Sequence, residues 1–236
     1  MRISVHQPQY LPWLGYFHKI FSSDVFVFLD DVQYKKREFQ NRNKIKNGDD
    51  WMWLTVPVVG NEDPYPNLSD VFIDNEQDWQ RRHWRAIYLN YKHAPYFKDH
   101  CDFFENVYNS KWDRLNDLNM ALIKYIDSSL GIEKPVYLSS EFKLDTVKTQ
   151  RIIDICKALK ADTYLSGLGG KDYLEEDRLA ESSIRLEYQD FHHPVYKQLN
   201  MKDKDSFIPC LSTIDLLFNH GPESIDILTG RKDKMA

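Results

Sequence analysis

The first thirty residues constrain the fold most. Ile3 to Val5 is a short apolar run that gives way at once to the polar, proline-marked stretch His6-Gln7-Pro8-Gln9-Tyr10-Leu11-Pro12, a pattern that predicts a strand and then a loop. Pro12 suits the first turn of a helix, where its missing N–H costs no hydrogen bond, and Leu14, Phe17 and Phe21 follow at i, i+3 and i+7 on one face. The helix is expected to run to about Ser22. Val25 to Leu29 is then continuously β-favouring with no polar alternation, as expected of a parallel strand covered on both faces. Strand, helix and strand make a βαβ unit. Its parallel pair ends on one edge of a sheet, where open α/β proteins bind ligands, so His6, Gln7, Asp30 and Asp31 are expected on one rim.

Beyond that unit the pattern loosens. Phe39 to Lys44 is polar, Trp51 to Val59 is β-favouring with Pro57 marking an edge or irregular strand, and Asn61 to Asn67 reads as a loop. From about 78 to 130 the pattern is helical: Trp79 to Lys92, a piece beginning near Pro95, and Asp113 to Leu130 closed by Gly131. In the last, Leu115, Leu118, Leu122 and Ile126 form an apolar stripe. This block is expected to be a helical cover or insertion. Alternation then resumes with a strand at Pro135 to Leu138, a helix at Thr146 to Leu159 and a strand at Thr163 to Leu165. A glycine-rich turn, a helix at Lys171 to Glu181 and a strand at Ile184 to Tyr188 follow. Ser212 to Asp215 fits a capping box, and Gly221-Pro222 ends the helix it opens. The fold class expected is a single α/β domain over residues 1–236 with a parallel-sheet core.

Composition narrows the function. Lys plus Arg minus Asp plus Glu is 31 − 36 = −5, so there is no global positive field to hold a nucleic-acid backbone, and long nucleic acid is excluded as a partner. The aromatic share of 14%, with 14 Tyr, exceeds what a core absorbs and suits amphipathic pocket surface. Cys101, Cys156 and Cys210 are widely spaced with no CxxC pair, which points to reduced thiols in a cytoplasm and to no bound metal. The opening residues lack the apolar run of a signal peptide, and no segment nears the roughly 20 apolar residues of a membrane span. A cytoplasmic location without membrane insertion is expected.

Five constellations carry candidate chemistry. His6, with Gln7 and Tyr10 beside it, stands at the carboxyl end of the first strand, where it is expected to donate to a phosphate or a developing oxyanion. Asp30 and Asp31, with Gln33, follow the second strand. One acid of the pair is expected to face the site and orient or deprotonate an amine, because neighbours on a strand point to opposite sides. Gln40, Asn41, Arg42 and Asn43 concentrate donors that are costly to bury, and they suit a sugar, carboxylate or phosphate. Ser166, Gly167, Gly169 and Gly170 form a turn whose N–H groups and following helix suit a nucleotide phosphate, with Tyr173 beside them. That turn matches neither GxxxxGK[ST] nor GxGxxG. His193, Tyr196 and Gln198 are expected to close a polar pocket, since adjacent His192 and His193 do not converge on one metal. His83, His93 and His100 read as surface or capping residues.

Taken together, His6 to Ile20, Phe39 to Lys46, Tyr164 to Leu174, His193 to Leu199 and Leu211 to Gly221 resemble the WbqC-like family, with its HQPxYLPWLGYFxKI, FQNRNKIK, YLSGxGGxxYL, HPVYxQL and LSxIDLLFNxG motifs. The resemblance implies bacterial O-antigen or surface-polysaccharide biosynthesis. The opening also looks like that of nucleotidyltransferase-like (HUP-type) α/β enzymes, although the HxGH of that group is absent: the next histidine after His6 is His18. The implied activity is transfer of an amino acid or activated acyl donor onto the amino group of a nucleotide-linked amino sugar, with ATP and Mg2+ as cofactors where the acid needs activation. The alternatives are a glycosyltransferase using a nucleotide sugar and a non-catalytic sugar-nucleotide-binding protein.

Overall fold

The computed structural model describes residues 1–60 and 65–231, so residues 61–64 of the expected loop lie outside the described residues. In chain order the elements are β1 (Arg2–His6), α1 (Leu14–Phe21), β2 (Val25–Phe28), β3 (Arg42–Asn47), β4 (Asp50–Thr55), α2 (Trp79–Tyr91), α3 (Phe97–Asn109) and α4 (Leu115–Ser129). There follow β5 (Val136–Leu138), α5 (Lys148–Ala158), β6 (Thr163–Ser166), α6 (Glu176–Glu181), β7 (Arg185–Tyr188), α7 (Ile214–His220) and α8 (Ser224–Leu228). The chain forms two compact units. Unit 1 comprises Met1–Pro8, Gly15–Val32 and Ile132–His192, and unit 2 comprises Gln9–Leu14, Gln33–Gly131 and His193–Ala236.

Unit 1 is an α/β structure around a five-stranded sheet of order β5-β2-β1-β6-β7, with every pair parallel. The alternation of side chains decides which face each strand residue serves. Ile3, Val5, Val25 and Val27 pack on one face with Ile152, Ile153, Ile155 and Cys156 of α5 and Leu179 of α6. Burying each such aliphatic side chain contributes about 1.5–3 kcal/mol. Phe26 and Phe28 stack edge-on at 5.0 Å, and Tyr16 of α1 lies 5.8 Å from Phe26, so the even-numbered residues serve the α1 side. All four residues of β2 are buried, as its unbroken apolar run requires.

The chain winds outward from β1 through β2 to β5, then crosses back to β6 and β7, so the strand order reverses between β1 and β6. Pairing changes there too. β1 and β2 stay in register to His6 and Phe28, and β6 and β7 to Ser166 and Tyr188. Between β1 and β6 the register stops at Ile3 and Tyr164, leaving the carboxyl ends of these two neighbours unzipped. That is the position at which open α/β sheets form a ligand crevice.

Unit 2 holds the antiparallel hairpin β3–β4, in register from Arg42 with Thr55 to Asn47 with Asp50, together with α2, α3, α4, α7 and α8. Gly48 in the two-residue turn takes φ 61°, which a hairpin turn of this length needs. The polar run expected around Phe39 to Lys44 is therefore partly strand, and the next strand stops at Thr55, two residues short of Pro57. The helical stretch is α2, α3 and α4, whose Trp79, Ile87, Phe104 and Leu122 are fully buried.

Two local expectations need correction. No α-helix starts at Lys171: Leu168–Asp172 is a 3-10 turn, and α6 begins at Glu176. Adjacent glycines disfavour the α conformation, and Gly170 lies so close to Ser166 that a Cβ would meet its Oγ at 2.0 Å. The capping box at Ser212 to Asp215 does not form either. Ser212 Oγ accepts the Ile214 N–H at 3.4 Å and not that of Asp215, and the Asp215 carboxylate is wholly buried, accepting from Tyr196 and Gln198.

Candidate functional site

The carboxyl ends of the parallel strands in unit 1 gather His6, Gln7, Asp30, Asp31 and the 166–170 turn. His6 is the last residue of β1, half-buried, with its ring edge-on to Tyr16 at 5.1 Å. Its Nδ1 lies 3.1 Å from the carbonyl of Gln7, which only accepts, so Nδ1 carries the proton and Nε2 is left as an acceptor. The Gln7 carbonyl also receives the Tyr16 hydroxyl. Desolvation, with a smaller contribution from the Lys19 charge, lowers the imidazole pKa to about 3, and the ring is neutral near pH 7. This corrects the role expected of it: a neutral ring with Nδ1–H already committed accepts a proton-bearing group and does not donate to a phosphate.

Asp30 and Asp31 lie beyond the end of β2, where strand alternation no longer holds, and both carboxylates turn toward Ser139. Asp30 accepts from the Ser139 hydroxyl at 3.1 Å, the Ser140 N–H at 3.0 Å and the Ser140 hydroxyl at 2.7 Å. Asp31 shares the single Ser139 hydroxyl proton with Asp30 and pairs with Arg151, whose side chain is 9% exposed. The expectation that only one acid faces inward gives way to a pair that both anchor the segment after β5. Their oxygens are occupied by the fold of unit 1.

In the glycine turn, Ser166 is buried and donates to the Gly167 carbonyl at 3.0 Å, while the Gly170 N–H bonds that same carbonyl at 2.9 Å. Gly169 is open: a Cβ there would meet nothing within 4 Å. Tyr173 is exposed and shares a hydroxyl contact with Tyr164. With no α-helix starting at the turn, the helix-dipole contribution expected for a phosphate is absent.

Lys19 belongs to this rim although it lies outside the five constellations. It sits in α1 three residues after Tyr16, and that spacing within an otherwise apolar helix face was the signal available. The side chain is buried, and its Nζ donates to the Val5 carbonyl at 3.0 Å. Nζ also lies 3.9 Å from where a Cβ on Gly167 would stand, so it spans the unzipped ends of β1 and β6. Desolvation lowers its pKa to about 7. Gln189 is likewise outside them: its N–H bonds the Ser166 carbonyl at 2.7 Å and its side chain bonds the Gly15 carbonyl at 2.8 Å, tying α1 to the end of β6.

The remaining candidates belong to unit 2, where the amides of the 40–43 run bond chiefly to the main chain. Asn43 is fully buried, donating to the Leu11 carbonyl and accepting from the Lys44 N–H. Asn41 donates to Val56, Gln40 accepts from the Lys35 N–H, and the Gln40 carbonyl receives the Asn119 amide. The premise that these amides are costly to bury is met by main-chain partners. Their other ends are not: Gln40 Nε2 and Asn41 Oδ1, with Gln9 Oε1 and the Tyr34 hydroxyl, are buried without a protein partner. The Arg42 guanidinium stacks on Trp53 at 4.4 Å and donates to the Arg37 carbonyl. Gln33 is exposed and bridges Asn67.

Tyr10 is fully enclosed, its hydroxyl bonded to His83 at 2.8 Å and to Tyr108, so it does not line an open site. His83, read as a surface or capping residue, is buried in that network, and desolvation lowers its pKa to about 3. Tyr196 and Gln198 both donate to Asp215 Oδ2, at 2.9 and 3.0 Å, in a closed buried cluster. His193 donates from Nδ1 to the Pro194 carbonyl and accepts the Cys210 N–H at Nε2. A cavity of about 240 Å³ beside Tyr196 and His220 carries Glu223 and Asp226 on its wall, the wrong sign for a phosphate. Among the described residues no helix is long and apolar enough to cross a membrane.

A model of the WbqC-like protein family matches residues 7–227. The chain is also similar to Rv1507c, an uncharacterized protein of Mycobacterium tuberculosis (strain ATCC 25618 / H37Rv), with 36% identity over 229 residues covering 96% of this chain and 97% of that protein. No solved structure matches.

Proposed function

The chain belongs to the WbqC-like protein family, and from that premise we propose that it is an enzyme of bacterial surface-polysaccharide biosynthesis that joins an amino acid or acyl group to the amino group of a nucleotide-linked amino sugar. The observation that carries this reading is the crevice of unit 1. Strand order reverses between β1 and β6, their ends unzip, and His6 and Lys19 stand at the gap. The order, read from β1 outward, is that of nucleotide-binding α/β sheets and supports a nucleotidyltransferase-like core.

In this reading the nucleotide lies over the strand ends against Gly167 and Gly169, where small residues let its phosphates approach the main chain. His6 presents Nε2 to an N–H of the sugar amine. That orients the nitrogen lone pair toward the acyl carbon, and such positioning is the main contribution available to a ring so weakly basic. The reaction forms a C–N bond and expels the activating group of the acid, while the amine proton leaves to solvent. Asp30 and Asp31 take no part in proton transfer, since their oxygens already hold Ser139, Ser140 and Arg151.

ATP with Mg2+ would supply an adenylated or phosphorylated acid where the donor is not already activated. Each oxygen of the Asp30–Asp31 pair already has a partner within unit 1, so in this reading the metal would arrive on the nucleotide phosphates. The test is to incubate the protein with ATP, glycine or an acyl donor and a nucleotide-linked 4-amino sugar, and to weigh the products. A gain of one aminoacyl or acyl unit is expected. A longer glycan with free nucleoside diphosphate would make it a glycosyltransferase, and binding without turnover would make it a carrier of the sugar nucleotide.

A further inference from the structure

Unit 1 buries two long cationic side chains, and only one has a counter-charge. Arg151 is paired with Asp31. Lys19 is 4% exposed and in no ion pair among the described residues, and the hydrogen bond it makes is to the carbonyl of Val5. A buried ammonium without a carboxylate is a costly arrangement for a fold to keep, and a hydrophobic residue of the same length would satisfy the helix better. The location is as specific as the burial. Nζ stands where β1 and β6 part, beside Gly167, with the imidazole of His6 on the same strand end.

Lys171, after the glycine turn, is exposed and lies over the Tyr188 ring at 5.0 Å, so the buried cation at the parted strand ends is Lys19. His6 is a neutral acceptor, and Arg151 is paired with Asp31. We propose that Lys19 is the anion ligand of the crevice, donating from Nζ to a phosphate group held over the carboxyl ends of β1 and β6 against Gly167. The ammonium then gains the counter-charge that its burial lacks, and the anion gains a charge-assisted hydrogen bond in a partly desolvated site. The amine, lowered to about 7 by desolvation in the ligand-free protein, takes up a proton as the anion binds. Near it are the Val5 carbonyl and the imidazole of His6 from β1, and Gly167 from the end of β6.

This inference deepens the proposed function and rests on it for the identity of the ligand, but the test reads binding alone. The purified full chain is titrated by calorimetry with pyrophosphate, ADP, UDP and a hexosamine 1-phosphate. Saturable binding of at least one is expected. Lys19→Met should weaken it about ten- to a hundredfold, the factor a charged hydrogen bond commands. The same substitution should raise the melting temperature of the ligand-free protein, since it removes an unpaired buried charge. Opposite effects on stability and binding are what a purely structural lysine does not produce.

Gly167→Ala serves as a second variant, because φ is −70° there and the added methyl would stand in ordinary contact, 3.9 Å from Nζ. It should fold and bind the same anion more weakly, and it decides the matter if Lys19→Met does not fold. ADP or UDP binding more tightly than pyrophosphate identifies a nucleotide as the source of the phosphate, and preference for the hexosamine 1-phosphate identifies a sugar phosphate. Failure of the wild-type chain to bind any of the four, or unchanged affinity in both variants, overturns the proposal. Binding that depends on Lys19 with no transfer in the product assay leaves the anion site standing and removes only the reaction.

Discussion

Unit 1 buries Lys19 against one carbonyl at the parted ends of two strands, whereas unit 2 buries Asp215 Oδ2 beneath two side-chain donors and His83 within a tyrosine network. Both units have desolvated ionisable groups with displaced pKa values. Burial and a shifted pKa therefore do not by themselves mark a site. Left-over bonding capacity does not mark one alone either, since Asp215 Oδ1 is buried without a partner too; what separates the two regions is that Lys19 stands where the topology leaves the strand ends open. The aspartate pair of unit 1 makes a related point, since it stands on the right rim with each of its oxygens already bonded to Ser139, Ser140 or Arg151.

That contrast is open to direct attack. The largest effect expected is on turnover: His6→Ala should lower activity about a hundredfold, on the scale of a lost positioning or acid–base group. Its melting temperature should stay within about 3 °C of wild type, because a half-buried rim residue carries little of the core. A variant that unfolds instead would place His6 with the structural groups and erase the difference between the units. Arg151→Ala should destabilise by about 3 kcal/mol by stranding Asp31 without its partner, as read from urea midpoints. A loss below about 0.5 kcal/mol would show that the acid pair is freer than its contacts indicate, and would return it to the list of catalytic candidates.

Tyr196→Phe removes one of the donors to Asp215 and should cost about 1 kcal/mol with little change in turnover. A large activity loss with unchanged stability would move the closed cluster into the site. The smallest effect is on the pH profile. His83 has a folded pKa near 3 against 6.5 unfolded, so the unfolded chain takes up a proton that the folded one refuses. Its contribution to stability is present above about pH 6.5 and is lost as pH falls toward 3. His83→Gln should flatten the decline of the urea midpoint between pH 6.5 and 4, and an unaltered slope would mean that other groups set the acid limb.

Much of unit 1 was legible in the residues because its signals are local. The run at Val25, the stripe after Pro12 and the return of alternation after Pro135 each declare an element within a few turns of chain, and each is present. Less of the site was legible. Gln40, Asn41 and Asn43 read as ligand donors because donor density is visible in a sequence, while the main-chain carbonyls of Leu11 and Val56 that receive two of these amides are not. The helix expected at Lys171 failed for a local reason, the paired glycines and the close approach of Gly170 to Ser166 within the turn, which periodicity alone does not reveal. Lys19 was overlooked because its meaning comes from a carbonyl fourteen residues earlier and a glycine far along the chain.

By itself the sequence determined the periodicities, the parallel opening unit and the rim on which His6 and the two acids stand, because apolar spacing and proline geometry act over short stretches of backbone. Tertiary structure alone decided which polar groups are consumed and which are left over. Hydrogen-bond satisfaction is settled between segments distant in the chain, and only the folded arrangement shows that the aspartates already hold serine and arginine partners while the buried lysine has a carbonyl and no counter-charge among the described residues.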